Sequence, residues 1–219
     1  MLTAPSGDRA ASSLIPGLVY LKDPHFSPAV SEAVAAIERR SDAEVVVVAV
    51  ARSGHYRDVV LAAALAAALG VLAFVAWSPF LFAGALFPVY AGAAALLAGL
   101  LVRRSPSLIR CFAGSDRLRD QVREAAQAAF FQESVHGTQR RTGVLVYVSV
   151  LENRVEIVPD HGLLGRIPGA RFLEMDLRCQ SLPELVEGLG RLGDLLAAHV
   201  PALHDMNPNE VADTPRVRG

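Results

Sequence analysis

A short polar cluster stands directly before an apolar run and contains four residues that could bind an anion: His136, Thr138, Arg140 and Arg141. Guanidinium groups hold phosphates and carboxylates through paired hydrogen bonds, so this loop predicts binding of a phosphate or an anionic headgroup. Two alternatives without a ligand stay open. Arg140 and Arg141 remain solvated or pair with Glu133, and His136 caps the preceding helix, whose C-terminus favours a cation.

The triplet Asp160-His161-Gly162 is the second polar feature, and it follows a β-branched run. Asp bonds to nearby backbone through its side chain and Gly tolerates positive φ, so the triplet predicts a tight turn. The sequence contains no GxSxG, no HExxH and no GxGxxG after a strand. These absences remove three common catalytic or nucleotide-binding arrangements, and we therefore predict no catalytic residue.

The composition excludes several classes of function. Lys and Arg number 21 against 22 Asp and Glu, and this net charge of -1 argues against a nucleic-acid partner. Lys22 is the only lysine, which excludes a P-loop. Cys111 and Cys179 form no CxxC pair, so both are predicted to be reduced and structural.

An uncharged stretch dominates the middle of the chain. Residues 59–102 are 44 consecutive positions without Asp, Glu, Lys, Arg or His. One membrane span needs about 20 residues at about 1.5 Å rise, so this length predicts a two-helix transmembrane hairpin. The break is predicted at Ser78-Pro79, giving spans 59–77 and 80–102, with Pro88 as an alternative breaker.

Arginines flank the apolar run while its central connection carries no charge. Arg52 and Arg57 precede the run, and Arg103, Arg104 and Arg110 follow it. The positive-inside rule then places both flanks in the cytoplasm. We expect a multi-pass protein of the bacterial inner (cytoplasmic) membrane with both termini cytoplasmic, in contact with the lipid bilayer.

Periodicity outside the apolar run predicts alternating helices and strands. The β-branched run 44–50 is typical of a buried central strand. Runs 144–150 and 154–158 are separated by three residues and predict a β-hairpin. Capping residues and apolar stripes predict helices at 28–40, from 115 to about 130, and from Ser181 to Leu196.

Three stretches carry a resemblance to a known family: AIERRSDAEVVVVAV at 36–50, HGTQRRTGVLVYVSV at 136–150 and ENRVEIVPDHG at 152–162. They resemble the TPM-domain family, in particular its bacterial membrane-embedded branch. The resemblance covers residues 26–204 and implies a compact α/β sandwich interrupted by the hairpin. The expected organisation is an N-terminal segment 1–25, domain parts 26–58 and 103–204 around the hairpin 59–102, and a flexible tail 205–219.

The resemblance also implies candidate functions. In relatives thought to bind metal, acidic groups near the domain's start and in the turn after the third strand come together. The matching residues are Asp23 and Asp160, so a divalent cation is the cofactor the resemblance implies. Other relatives are linked to photosystem II repair or weak acid phosphatase activity. We expect a non-catalytic module that binds a membrane protein partner or stabilises a complex; the alternative is a weak divalent-cation-dependent phosphatase.

Overall fold

The computed structural model describes residues 21–78, 86–202 and 214–218 of the 219-residue chain. The chain divides into two compact units. One unit comprises the chain up to Ser53 and from Arg119 onward, and the other comprises Gly54–Leu118. The second unit contains the described part of the apolar run.

The first unit is built on a four-stranded mixed sheet. Its strands are β1 (Glu44–Val50), β2 (Gly143–Ser149), β3 (Arg154–Pro159) and β4 (Arg216–Arg218), in the order β3-β2-β1-β4. β1 is parallel to β2, with Glu44 opposite Gly143, and also parallel to β4. β2 and β3 form the predicted antiparallel hairpin. All seven residues of β1 are buried, which confirms the prediction of a buried central strand.

The helices within the described ranges are, in chain order, α1 (Phe26–Glu38), α2 (Arg57–Trp77), α3 (Phe87–Arg104), α4 (Pro106–Ala113), α5 (Ser115–Gln132), α6 (His161–Leu164), α7 (Gly169–Leu173) and α8 (Leu182–His199). A 3-10 turn covers Val135–Gly137. The predicted helices at 28–40, at 115–130 and after Ser181 are therefore confirmed. α4, α6 and α7 are additional to the prediction.

Alternating residues of the strands fill two separate cores. On one face, Val45 and Val47 of β1 pack with buried side chains of α1 and α8, among them Val34 and Leu189. On the other face, Val46 and Val48 pack with the apolar stripe of α5. Side chains of a strand point alternately to opposite faces, so β1 and β2, which are buried along their whole length, need helices on both sides. The first unit is thus an α/β fold with a mixed sheet between helical layers.

β4 changes the prediction for the end of the chain. Residues 205–219 were expected to be a flexible tail, but Arg216–Arg218 form an edge strand against β1. The guanidinium groups of Arg216 and Arg218 both pair with the carboxylate of Glu133. Residues 205–213 and 219 of that tail lie outside the described residues. The tail prediction is therefore wrong at the strand.

The second unit contains two helices that are long and apolar enough to cross a membrane. α2 has 21 residues and α3 has 18. α2 matches the predicted first span, whereas the second helix begins at Phe87 with Pro88 in its first turn, where proline is well tolerated. The predicted break at Pro79 and the start of the predicted second span lie among residues 79–85, outside the described residues.

Two contacts define how the second unit is held together. The guanidinium of Arg117 donates to both carboxylate oxygens of Asp58, at 2.5 and 3.0 Å, and so joins the end of the unit to its beginning. Between the apolar helices, a Cβ on Gly99 would lie 3.7 Å from the Cβ of Ala64, so the two helices approach closely there. A Cβ on Gly70 or Gly92 would have no neighbour within 4 Å, so these two glycines do not lie where the helices approach each other.

Candidate functional site

Two residues of the predicted anion cluster, His136 and Arg141, line a cavity of about 280 Å³ in the first unit. The predicted turn contributes Asp160 and His161 to the same cavity. The remaining walls are apolar: Phe130, Phe131, Pro159 and Leu164. The structure therefore brings together parts of two sequence features that the sequence presents about 20 residues apart.

The end of α5 and the turn after it build the aromatic side of the cavity. Phe130 and Phe131 are neighbours on the last turn of α5, and the 3-10 turn carries His136 back towards them. The ring centroid of His136 lies 5.4 Å from that of Phe131 and 6.2 Å from that of Phe130. These separations are ordinary for contacting aromatic rings, so the three rings form one cluster.

Backbone contacts fix the opposite side, where β3 ends. The amide of Asp160 donates to the carbonyl of Gly143 at 2.9 Å, and the amide of Gly162 donates to that of Arg141 at 2.9 Å. A Cβ on Gly162 would lie 2.5 Å from the carbonyl oxygens of both Arg140 and Arg141. Only glycine fits this approach, which is why the predicted turn can pack directly on the arginine pair.

Asp160 is the most buried charged group of the cavity, with 3% of its surface exposed. Its Oδ1 accepts the amide hydrogen of His161 at 2.7 Å, whereas its Oδ2 has no hydrogen-bond partner among the described residues. The Nδ1 atom of His136 is also buried and has no hydrogen-bond partner among the described residues. Buried polar atoms in folded proteins are nearly always hydrogen-bonded, so two such atoms beside one cavity are a signal of a binding site.

The other half of the predicted anion cluster lies elsewhere. The guanidinium of Arg140 donates to Oδ2 of Asp42 at 2.7 Å, and neither Arg140 nor Thr138 lines the cavity. Thr138 is buried. The alternative pairing with Glu133 is wrong for Arg140, because the carboxylate of Glu133 is taken by two arginines of β4. The four predicted residues therefore do not share one cavity: His136 and Arg141 line it, and Thr138 and Arg140 do not.

The two residues of the implied cation site are in different settings. Asp23 is exposed, and its Oδ1 accepts the amide hydrogen of His25 at 2.8 Å. Asp160 lies beside nitrogen groups, including the cationic Arg141. Across the described ranges, no three His, Cys, Asp or Glu side chains are grouped so that they could hold a metal. Hard divalent cations prefer six or more oxygen ligands, so these residues do not fit a cation.

A second cluster of polar side chains lies where β1 and β2 end, and its members are hydrogen-bonded to one another. Glu152 accepts the amide hydrogen of Ser53 at 3.0 Å through Oε1, and its Oε2 accepts the hydroxyl of Ser149. The hydroxyl of Ser53 contacts those of Ser149 at 2.6 Å and Tyr147 at 3.3 Å. Burial raises the pKa of Tyr147, and this effect is larger than the lowering by the hydrogen bond from Ser53. The phenol is therefore neutral at neutral pH. This network joins the exit of β1 to the β2–β3 turn.

Sequence reasoning missed the aromatic wall and this network. Phe131 lies off the apolar stripe of α5 and is 65% exposed, and an aromatic residue outside a core-facing stripe was the available signal. Ser53, Ser149 and Glu152 carry no such signal. Their positions along the chain are up to 99 residues apart, and only the sheet register brings them together.

Comparisons with known proteins identify the fold alone. No family model matches the chain, and no curated protein matches it. Among solved structures, the chain is similar to the BA42 protein from the psychrophilic bacterium Bizionia argentinensis, determined by NMR. The TM-score is 0.53 at 14% sequence identity, and the match covers 90% of this chain and 94% of BA42.

Proposed function

We propose that the chain is an integral protein of the bacterial inner membrane, in which α2 and α3 span the bilayer and the α/β unit lies in the cytosol. In this proposal it belongs to the membrane-embedded branch of the TPM-domain family. The α/β unit serves as a non-catalytic module that binds a membrane protein partner or stabilises a complex.

The surface of α2 and α3 is the observation that carries the proposal. Only 11% of the apolar window of α2 and 6% of that of α3 are buried. Large apolar side chains are exposed all along both helices, including Leu61, Leu65, Leu69, Leu97 and Leu101. Water-soluble proteins rarely expose a continuous apolar surface of this extent, whereas a lipid bilayer covers it.

The sheet supports the proposed topology. β1 precedes the two apolar helices and β2 follows them, yet the two strands are paired in parallel over seven residues. Such pairing requires both flanks on the same side of the bilayer, and two spans return the chain to that side. Arginines at both flanks favour the cytoplasm for that side.

A binding role is supported by the apolar rim of the candidate site. Phe131 is exposed on one side of the cavity and Leu164 on another. The oppositely charged side chains of Arg141 and Asp160 line the same cavity. Exposed aromatic residues next to a charged group are typical of surfaces that contact a partner. The absence of catalytic motifs in the sequence supports a non-catalytic role.

The alternative of a weak phosphatase has one specific observation in its favour. His136, Arg141, Asp160 and His161 line one cavity, so acid, base and anion-binding groups are close together. A divalent cation at Asp160 does not fit its nitrogen-rich neighbours, and no step is assigned to one.

A phosphate-ester assay separates the two proposals. We expect the purified full-length protein to hydrolyse p-nitrophenyl phosphate no faster than an identically prepared Asp160→Asn variant, with either magnesium or a chelator present. Asparagine retains the oxygen that accepts the His161 amide, so this variant keeps the turn. Activity that survives purification and disappears in Asp160→Asn would favour the phosphatase instead.

A further inference from the structure

The cavity between α5 and the end of β3 contains one anionic and one cationic side chain that do not neutralise each other. Asp160 and Arg141 both line it, yet no ion pair joins them. Arg141 is exposed and has no ion-pair partner among the residues that the structure describes. The cavity thus offers a ligand one group of each charge. A ligand of matching charge is itself neutral overall and carries one group of each sign.

Asp160 indicates which positively charged group a ligand would carry. Its Oδ2 lacks a donor among the described residues, while Oδ1 is committed to the His161 amide. Leaving a buried carboxylate oxygen unpartnered costs free energy that a ligand donor recovers. An ammonium group supplies both the hydrogen-bond donor and the compensating charge.

Arg141 defines the negative group. Its carbonyl accepts the Gly162 amide, which fixes the backbone of Arg141 at the cavity. A guanidinium matches the two oxygens of a carboxylate through paired hydrogen bonds. The remaining cavity walls are aromatic and aliphatic, so they suit an apolar side chain: Phe130, Phe131, Pro159 and Leu164.

We propose that this cavity binds a free α-amino acid with an apolar side chain. The ammonium group lies at Asp160, the carboxylate at Arg141 and the side chain against Phe130, Phe131 and Leu164. A volume of about 280 Å³ lies just below the usual range of ligand pockets, about 300–1,000 Å³, and it excludes a nucleotide-sized ligand. The proposal goes beyond the proposed function and rests on the cavity alone, so either can fail without the other.

Calorimetric titration of the full-length protein in detergent with three related molecules tests this proposal. L-leucine carries both charges, isocaproate lacks the ammonium group, and L-leucinamide lacks the carboxylate. Titrations into protein-free micelles are subtracted. Removing one charge-assisted hydrogen bond costs about tenfold to a hundredfold in affinity, so leucine is expected to bind at least about tenfold more tightly than either analogue.

Two variants assign each charge to its side chain. Asp160→Asn keeps the His161 cap and is expected to abolish the preference for leucine over isocaproate. Arg141→Gln is expected to abolish the preference for leucine over leucinamide. Arg171→Gln, at an exposed arginine outside this cavity, is expected to change neither preference.

Three results would overturn the proposal. One is the absence of leucine binding at millimolar concentrations by a protein whose circular dichroism is intact. Another is equal affinity of wild type for leucine and isocaproate. The third is equal affinity for leucine and leucinamide, which presents its ammonium group as a peptide N-terminus does and would identify a peptide end as the ligand.

Discussion

Replacing Leu96 and Leu97 together with arginine will prevent α3 from crossing the membrane in most molecules. Both side chains are exposed on α3, at 64% and 67%, and α3 is the less apolar of the two helices. An arginine at the centre of a span costs about 2.5–3.5 kcal/mol on insertion scales, so two cost about 5–7 kcal/mol. α2 still crosses the membrane, so the chain after it is left outside the cytoplasm. We expect the activity of a cytoplasm-specific reporter enzyme fused after Gly219 to fall more than about tenfold.

The matched control is Leu173→Arg in α7. Leu173 is 83% exposed in the α/β unit, so an arginine there stays in water and the reporter activity should equal that of wild type. If α3 were exposed to water, both changes would be equally harmless, because exposed substitutions rarely change stability much. Unchanged reporter activity in the double variant would therefore refute the transmembrane assignment of α3.

Glu152→Ala is expected to cause a large loss of stability in the α/β unit. Glu152 is 3% exposed and accepts hydrogen bonds from the Ser53 amide and the Ser149 hydroxyl. Without the carboxylate, the buried Ser149 hydroxyl and the half-buried Ser53 amide lose their acceptor, and the cost is about 2–4 kcal/mol. Glu187→Ala, at an exposed position of α8, is the matched control and is expected to change stability little.

The two native cysteines provide the measurement. Cys179 is buried, with its Sγ 3.9 Å from the carbonyl oxygen of Ser149, whereas Cys111 is exposed. In Glu152→Ala, Cys179 should react with a thiol reagent about thirtyfold faster or more, because about 2 kcal/mol changes the open population by that factor. The rate at Cys111 should not change. An unaltered Cys179 rate would show that the network contributes little stability.

Local patterns were sufficient to predict most of the first unit. The β-branched runs of β1, β2 and β3 and the apolar stripes of α1, α5 and α8 reflect burial against immediate neighbours, which periodicity records. β4 was missed because Arg216–Arg218 is short and polar, and its partner β1 lies more than 160 residues earlier. No periodicity marks a strand defined by such distant pairing.

The candidate site was only half predictable for a related reason. The sequence shows that Arg140 and Arg141 are adjacent, but adjacent residues point in different directions. Arg140 meets Asp42, 98 residues away, while Arg141 lines the cavity with Asp160. The turn chemistry of Asp160 and Gly162 was readable, whereas its packing on the arginine pair depends on the sheet.

Reporter fusions test the central claim of two spans with both flanks in the cytoplasm most directly. Two fusions, one before Met1 and one after Gly219, would each carry a reporter enzyme that is active only in the cytoplasm. A second pair would carry a reporter that is active only outside the inner membrane. The account predicts that the fusion proteins stay in the membrane fraction, that the cytoplasmic reporter is active at both ends and that the external reporter is inactive at both. Recovery of the fusions in the soluble fraction would contradict it. Cytoplasmic activity at one end alone would mean an odd number of spans and would contradict the account.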